Sequence, residues 1–153
     1  MIASVRNSGC QRVSHAVSIR EDGDILGLLQ KLKDKNILVE ICLTSNEKML
    51  EVFNDKHPLK TLISYGIRFL LCSDDEAIFR SDLNEEYVKA VLNYNLDWLT
   101  LRQMLIEAVE HAFLNQSDKA ILRDKLTKSI DEFEASWADV YKNMQEKETI
   151  IKV

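Results

Sequence analysis

One short β-prone stretch and two short apolar runs mark three candidate strands along the chain. They cover residues 11–14, 36–42 and 67–72, and the second and third carry the β-branched and aromatic residues that pleated sheets favour. A short apolar run such as residues 67–72 is typical of a buried strand. The pattern therefore predicts three short strands in the first half of the chain.

Stretches with helical spacing of apolar residues separate these strands and follow them. Residues 24–33 predict an amphipathic helix. Pro58 and Gly66 bracket a second helix at residues 59–65, since proline suits a first turn and glycine suits the position after a last turn. A polar loop is expected at residues 44–46. Beyond the third strand three helices are predicted, with Ser81 as an N-cap, at residues 84–93, 100–113 and 117 to about 143.

The order β-α-β-α-β followed by helices predicts an α/β fold with parallel strands and crossover helices. Parallel sheets normally have both faces covered, and three strands leave the edges of a sheet open. The chain is therefore expected to be part of a larger α/β structure. We assign residues 1–143 to this α/β portion and residues 144–153 to a frayed tail. In the last helix, an apolar stripe from Ile121 to Tyr141 is expected to face a core.

Composition narrows the possible partners. The chain has 153 residues and a formal net charge of -5, so it is not expected to attract nucleic-acid phosphates. No apolar run reaches the ~20 residues of a membrane helix, and no signal peptide is evident, so a membrane is not expected as partner. The three cysteines are widely spaced, which predicts buried thiols of a cytoplasmic protein rather than disulfides.

Two adjacent carboxylates, Asp74 and Asp75, directly follow the third strand. The C-terminal ends of parallel strands are where α/β folds place their chemistry, so one carboxylate could bind a metal while the other faces a substrate. Such a pair also forms turns and helix N-caps. Taken alone, the aspartate pair leaves both interpretations open.

The first strand ends in His15, which would meet the aspartates at the same edge if the strands are parallel. A histidine and two carboxylates in one place could bind a divalent metal and activate water. Of the other histidines, His57 precedes a proline and is expected to cap or pack there. His111 is expected to be a surface or partly packed residue.

Six segments in this order resemble the C-terminal half of the adenosine deaminase family. His15 is similar to the histidine of the family's Arg-Ile-Gly-His-Gly motif, and the residues around Asp74 are similar to its Thr-Asp-Asp-Pro. The remaining matches are Glu40 to Asn46 with Glu-Val-Cys-Pro-Thr-Ser-Asn, His57 to Leu59 with His-Pro-Leu, Leu83 and Glu86-Tyr87 with Leu…Glu-Tyr, and Ala112 to Leu114 followed by Lys119 with Ser-Phe-Leu…Lys.

The resemblance implies the C-terminal part of a (β/α)₈ TIM-type barrel and a zinc-dependent hydrolytic deamination of adenosine or a related 6-aminopurine. By this resemblance Asp74 is the metal ligand and Asp75 hydrogen-bonds ring nitrogen N7 of a purine nucleoside or base. His15 is the catalytic residue that orients the attacking water and helps to deprotonate it.

The chain also departs from the family pattern. Ser14 and Ala16 replace the glycines beside the histidine, and Glu76 replaces a proline. The family's His-x-His motif, its third metal histidine and its catalytic glutamate have no counterpart, so the chain alone is expected to be inactive. One hypothesis is that it needs a complementary N-terminal half, or self-associates. The alternative is a truncated, non-catalytic remnant or interaction module.

Overall fold

The computed structural model describes residues 2–7 and 9–151, with side chains for 5–7, 9–138, 140 and 141. These residues divide into two units, one up to His111 and one from Ala112 onward. The first unit contains all the strands found in the described residues.

The three predicted strands are present and form one sheet in the order β1-β2-β3. Strand β1 spans Arg12–Ser14, β2 spans Leu38–Ile41 and β3 spans Phe69–Leu71. Both pairings are parallel, as predicted, with Ser14 opposite Glu40 and Ile41 opposite Leu71. Each strand is shorter than its predicted range, because the outer residues of the range belong to the connecting segments.

The helices connect and follow these strands. In chain order they are α1 Ile2–Asn7, α2 Ile25–Asp34, α3 Leu43–Leu50, α4 Leu59–Ser64, α5 Glu76–Phe79, α6 Leu83–Tyr94, α7 Trp98–Glu110 and α8 Gln116–Ile151. Two expectations about the segments after β2 and β3 were wrong. The polar residues 44–46 lie in α3 and not in a loop. The side chain that caps α6 belongs to Asp82, which accepts from the backbone N–H of Glu85 at 2.9 Å, and not to Ser81.

The core of the first unit lies on one face of the sheet. Because paired residues of parallel strands point to the same side, the alternating side chains of Val13, Val39, Ile41, Phe69 and Leu71 share that face, and all five are buried. Helix α2 adds three buried leucines to the same cluster, and helix α4 adds two. They are Leu28, Leu29, Leu32, Leu59 and Leu62.

The opposite face of the sheet is polar towards its C-terminal end. Ser14, Glu40 and Leu70 alternate with the core residues and are exposed or half-buried. Arg12 donates to Glu40 through Nε at 2.6 Å, and the Ser14 hydroxyl donates to the same carboxylate. Glu40 is therefore fully engaged in holding β1 against β2.

A buried carboxylate fixes the start of α3. Glu86, on α6, is 0% exposed and accepts from the backbone N–H of Leu43 at 2.7 Å and of Thr44 at 3.0 Å. The Ser81 hydroxyl adds a third contact at 3.3 Å. A carboxylate in this position satisfies first-turn donors that have no partner inside the helix, and it meets the positive end of the helix dipole.

The second unit contains α8. This helix extends past the predicted end near residue 143. The division of the chain into residues 1–143 and a tail remains a prediction. Residues 152 and 153 lie outside the described residues. The prediction that the stripe on this helix faces a core was wrong for most of it. Ile130 is buried, but Ile121, Phe133, Trp137 and Tyr141 are exposed.

Across the described ranges, no helix is both long enough and apolar enough to span a membrane.

Replacing Glu86 tests its role as the cap of α3. We expect Glu86→Ala to lower the free energy of unfolding by about 2–4 kcal/mol, because it leaves two buried backbone donors without an acceptor. Urea denaturation followed by circular dichroism measures this change. Glu85→Ala is the matched control, since Glu85 is exposed on the same helix, and it should change stability by less than about 0.5 kcal/mol. Equal effects of the two substitutions would contradict the assigned role.

Candidate functional site

Polar side chains gather where the three strands end. His15 directly follows β1, and its backbone N–H donates to the carbonyl of Glu40 at 2.7 Å. Cys42 directly follows β2, and the N–H of Cys72 donates to the carbonyl of Ile41 at 2.8 Å. These two bonds continue the ladder beyond the strands. The C-terminal ends of β1, β2 and β3 are therefore held side by side, as the sequence predicted.

The structure brings His15 and Asp74 together. The distance from His15 Nε2 to Asp74 Oδ2 is 3.8 Å, although the two residues are separated by almost the whole β-α-β-α-β segment. Their side chains are 40% and 28% exposed. A ligand from solvent can therefore reach both groups, and a small molecule or ion can contact both at once.

The backbone turns sharply at both of these residues. His15 has φ 68°, Ala16 has φ 55° and Asp74 has φ 59°, which is the left-handed region that costs a non-glycine residue roughly 1–2 kcal/mol. Residues in this region cluster at functional sites, where the surrounding structure holds them. Ala16 adopts this conformation although glycine adopts it most easily.

Asp75 stands at the N-cap position of α5, but its side chain makes no capping hydrogen bond. The residue is exposed. Capping therefore does not account for its carboxylate, and the alternative interpretation of the aspartate pair loses its support at this position.

One group of potential metal donors occurs among the described side chains. A nitrogen of His15, the sulfur of Cys42 and an oxygen of Asp74 lie within 4.8 Å of one another. Burial raises the pKa of the Cys42 thiol, and Cys72 and Asp74 raise it further, so the sulfur is a protonated thiol at neutral pH. Asp74 supplies the carboxylate donor of the group.

Two buried residues behind His15 complete the arrangement. Asn46, on α3, is 1% exposed, and its Oδ1 lies 2.9 Å from His15 Nδ1. Its Nδ2 lies 3.0 Å from Nε2 of His57, which is 0% exposed. The Asn46 amide therefore connects the two imidazole rings. Sequence reasoning did not identify Asn46; its available signal was its place at the end of the Glu-Ile-Cys-Leu-Thr-Ser-Asn segment.

His57 both caps and packs, which confirms its prediction. Its Nδ1 accepts from the backbone N–H of Leu59 at 3.1 Å, and its ring meets Tyr94 edge to face at 5.7 Å. Burial lowers the pKa of His57 from 6.5 to about 4, and the charge of Arg20 lowers it as well. The ring is therefore a neutral imidazole at physiological pH.

His111 is partly buried, as predicted. Its Nδ1 lies 3.1 Å from the carbonyl oxygen of Glu107, and its Nε2 lies 3.2 Å from that of Asn36. Both nitrogens are thus engaged by backbone oxygens, and His111 is not part of the donor group formed by His15, Cys42 and Asp74.

Comparison with known proteins gives a consistent result. The family model described as "Adenosine deaminase" matches residues 2–129. The adenosine deaminase of Escherichia coli O157:H7 (strain EC4115) is 36% identical over 124 residues, which are 80% of this chain and 36% of that enzyme. The chain spans little more than a third of the length of the curated relatives it matches.

Solved structures also match this chain. The N6-methyl-AMP deaminase of Arabidopsis thaliana matches with a TM-score of 0.70 and 29% identity, over 81% of this chain and 36% of that one. An amidohydrolase of Burkholderia ambifaria with bound zinc matches with a TM-score of 0.75 and 16% identity, over 89% of this chain and 38% of that one. These matches confirm the predicted fold, which is part of a TIM-type barrel; the described strands form no closed barrel.

The lowered pKa of His57 makes stability depend on pH. The unfolded chain binds a proton at this histidine below about pH 6.5, while the folded chain does so only near pH 4, so folding loses stability as pH falls between these values. We expect a loss of about 3 kcal/mol over this interval. Urea denaturation at a series of pH values should show that His57→Gln, which cannot titrate, reduces this slope.

Lys56→Gln is the matched control, because Lys56 is the exposed preceding residue and its loss leaves the imidazole in place. This variant should keep the wild-type slope. A slope unchanged in His57→Gln would mean that another group causes the pH dependence.

Proposed function

The chain belongs to the adenosine deaminase family, and we propose that it supplies the C-terminal part of an active site that hydrolytically deaminates a 6-aminopurine. The observation that carries this proposal is the 3.8 Å approach of His15 to Asp74 at the C-terminal end of parallel strands. Both residues stand where the family motifs have their histidine and first aspartate. Asp75 follows with a carboxylate that no cap uses.

In the proposed reaction, water adds to C6 of the purine, the bond from C6 to the exocyclic nitrogen breaks, and ammonia leaves. Asp74 would hold zinc, whose oxygen and nitrogen ligand preferences match the donors near this position. Bound zinc supplies the polarisation that makes water a nucleophile at neutral pH. His15 would contact the attacking water, and Asp75 would hydrogen-bond ring nitrogen N7.

Membership in the family supports a 6-aminopurine as the proposed substrate class. The compared enzymes are an adenosine deaminase and an N6-methyl-AMP deaminase. The 36% identity to the adenosine deaminase supports adenosine as the first substrate to test. Glu76, which replaces the family's proline beside the aspartate pair, adds a negative charge at this edge, and such a charge disfavours a substrate phosphate nearby.

The proposed partner is the remainder of the barrel, either as more sequence or as a second chain. Within the described residues, β1 and β3 each pair on one side only, and the face with Ser14, Glu40 and Leu70 carries no part of the core cluster. Closing a barrel would pair both edges and cover this face. The same strands would bring the missing metal ligands to Asp74.

A chimera tests the proposed function. The segment of the Escherichia coli adenosine deaminase that matches this chain is replaced by the chain, and loss of adenosine absorbance measures deamination. We expect a chimera that binds one zinc per molecule and deaminates adenosine. Asp74→Ala should abolish both zinc binding and activity, because a metal ligand is lost. Asp75→Ala should retain zinc and lower kcat/KM roughly 10- to 100-fold, as for a lost hydrogen bond to substrate.

Asp55→Ala is the control for the chimera, since Asp55 is an exposed aspartate paired with Lys60 away from the donor group. It should change neither zinc content nor rate. A folded, zinc-loaded chimera without activity on any 6-aminopurine would reject the deaminase proposal in favour of a non-catalytic remnant or interaction module. Loss of zinc in Asp75→Ala would reject the separate roles of the two aspartates.

The open sheet predicts how the chain behaves by itself. We expect the 153-residue chain to self-associate, because unpaired strand edges accept further strands. Sedimentation velocity over a range of concentrations measures this, and adding the N-terminal part of the Escherichia coli enzyme should replace self-association with a complex of the two. A strict monomer that ignores the added part would contradict the proposed partner.

A further inference from the structure

Three hydrogen bonds connect the start of α4 to the candidate site. The backbone N–H of Leu59 lies 3.1 Å from His57 Nδ1, and His57 Nε2 lies 3.0 Å from the amide of Asn46. The other end of the amide lies 2.9 Å from His15 Nδ1. Each group in the series can donate or accept only in certain ways. The donor at the Leu59 end therefore determines which group donates in each following hydrogen bond, up to His15.

Leu59 sets the direction of the series. A backbone N–H can only donate, so Nδ1 of His57 must be the acceptor. A neutral imidazole has one N–H, and His57 is neutral because burial and Arg20 lower its pKa to about 4. Its proton is therefore on Nε2, which donates towards Asn46.

The Asn46 amide transmits this direction. In the structure Nδ2 faces His57 and Oδ1 faces His15. That orientation would require His57 to accept at both ring nitrogens, which only an imidazolate does. Rotation of the amide by half a turn exchanges its ends, keeps both contacts, and lets Oδ1 accept from His57. The amide N–H₂ then donates to Nδ1 of His15.

We propose that His57 and Asn46 are positioning residues that fix the tautomer of His15, with its proton on Nε2. Because Nδ1 of His15 accepts from the amide, it carries no proton, and the N–H of the ring must be on Nε2. The hydrogen-bond series therefore directs an N–H of His15, and not a lone pair, to the side where Asp74 lies 3.8 Å away.

This assignment deepens the proposed function, and its consequence for catalysis depends on that function. A ring that presents an N–H donates a hydrogen bond to water or to a carboxylate, whereas removal of a proton from water requires a lone pair. His15 would thus orient the attacking water, and the proton would leave through another group. The tautomer itself is a property of this chain and exists without turnover.

Nuclear magnetic resonance of the full chain with ¹⁵N-labelled histidine tests the proposal. Two-bond proton–nitrogen correlations distinguish a protonated from an unprotonated ring nitrogen, and spectra at about pH 8 report on ordinarily neutral histidines. His15→Gln and His111→Gln assign the three rings by loss of one signal set each. We expect both His15 and His57 to carry their proton on Nε2.

Asn46→Asp reverses the last link with almost no change in shape. A carboxylate accepts at both ends, so His57 should keep its proton on Nε2 while the proton of His15 moves to Nδ1. Asn93→Asp is the matched control, because it introduces the same change at an exposed position of α6 and should leave both tautomers unchanged. A merely structural role of Asn46 predicts no such exchange at His15.

A wild-type spectrum with the proton of His15 on Nδ1, or that of His57 on Nδ1, would overturn the proposal. An Asn46→Asp variant that keeps His15 protonated on Nε2 would do the same. If that variant does not fold, the wild-type spectrum still decides. The readout needs neither zinc nor substrate, so an inactive chimera with the expected tautomers would reject the deaminase function and leave this inference in place.

Discussion

The cap of α3 by the buried carboxylate of Glu86 is the contact on which the geometry of the site depends. Glu86 comes from α6 and reaches the backbone N–H groups of Leu43 and Thr44. Those residues begin the helix that carries Asn46, and Asn46 holds His15 from behind. A displacement of α3 would therefore move the amide and the imidazole together. One interaction between distant elements thus controls the orientation of a group at the edge of the sheet.

A carboxylate suits this position although burying a charge is costly. Removal of an ion from water is compensated only when its oxygens are well hydrogen-bonded, and Glu86 has two backbone donors, the Ser81 hydroxyl and the positive end of a helix. A local serine or aspartate cap would accept from the second or third residue of the helix and satisfy only one of its free first-turn donors. The glutamate does more, because it also links α3, which follows β2, to α6, which lies beyond β3.

The sequence predicted the strands, their parallel order and the meeting of His15 with Asp74, because each of these follows from local periodicity and from the polarity of strand ends. It did not predict the roles of Asn46 and Glu86. Their partners lie 31 and 43 positions away, and nothing in the local pattern distinguishes a capping glutamate from an exposed one. The prediction that the stripe on α8 faces a core failed for a related reason, because helical spacing identifies an apolar face but not what covers it.

The strained backbone at the strand ends explains why these side chains converge at all. A residue that continued β1 would point to one face of the sheet. The left-handed conformations of His15 and Ala16 instead end the extended backbone after β1, as that of Asp74 does after β3. Each costs free energy that glycine would largely avoid. The surrounding bonds hold them: the N–H of His15 is tied to Glu40, and the carbonyl of Asp74 accepts from Glu76. A fixed backbone leaves side-chain rotation and tautomerism as the remaining freedoms of His15, and the Asn46 amide restricts both.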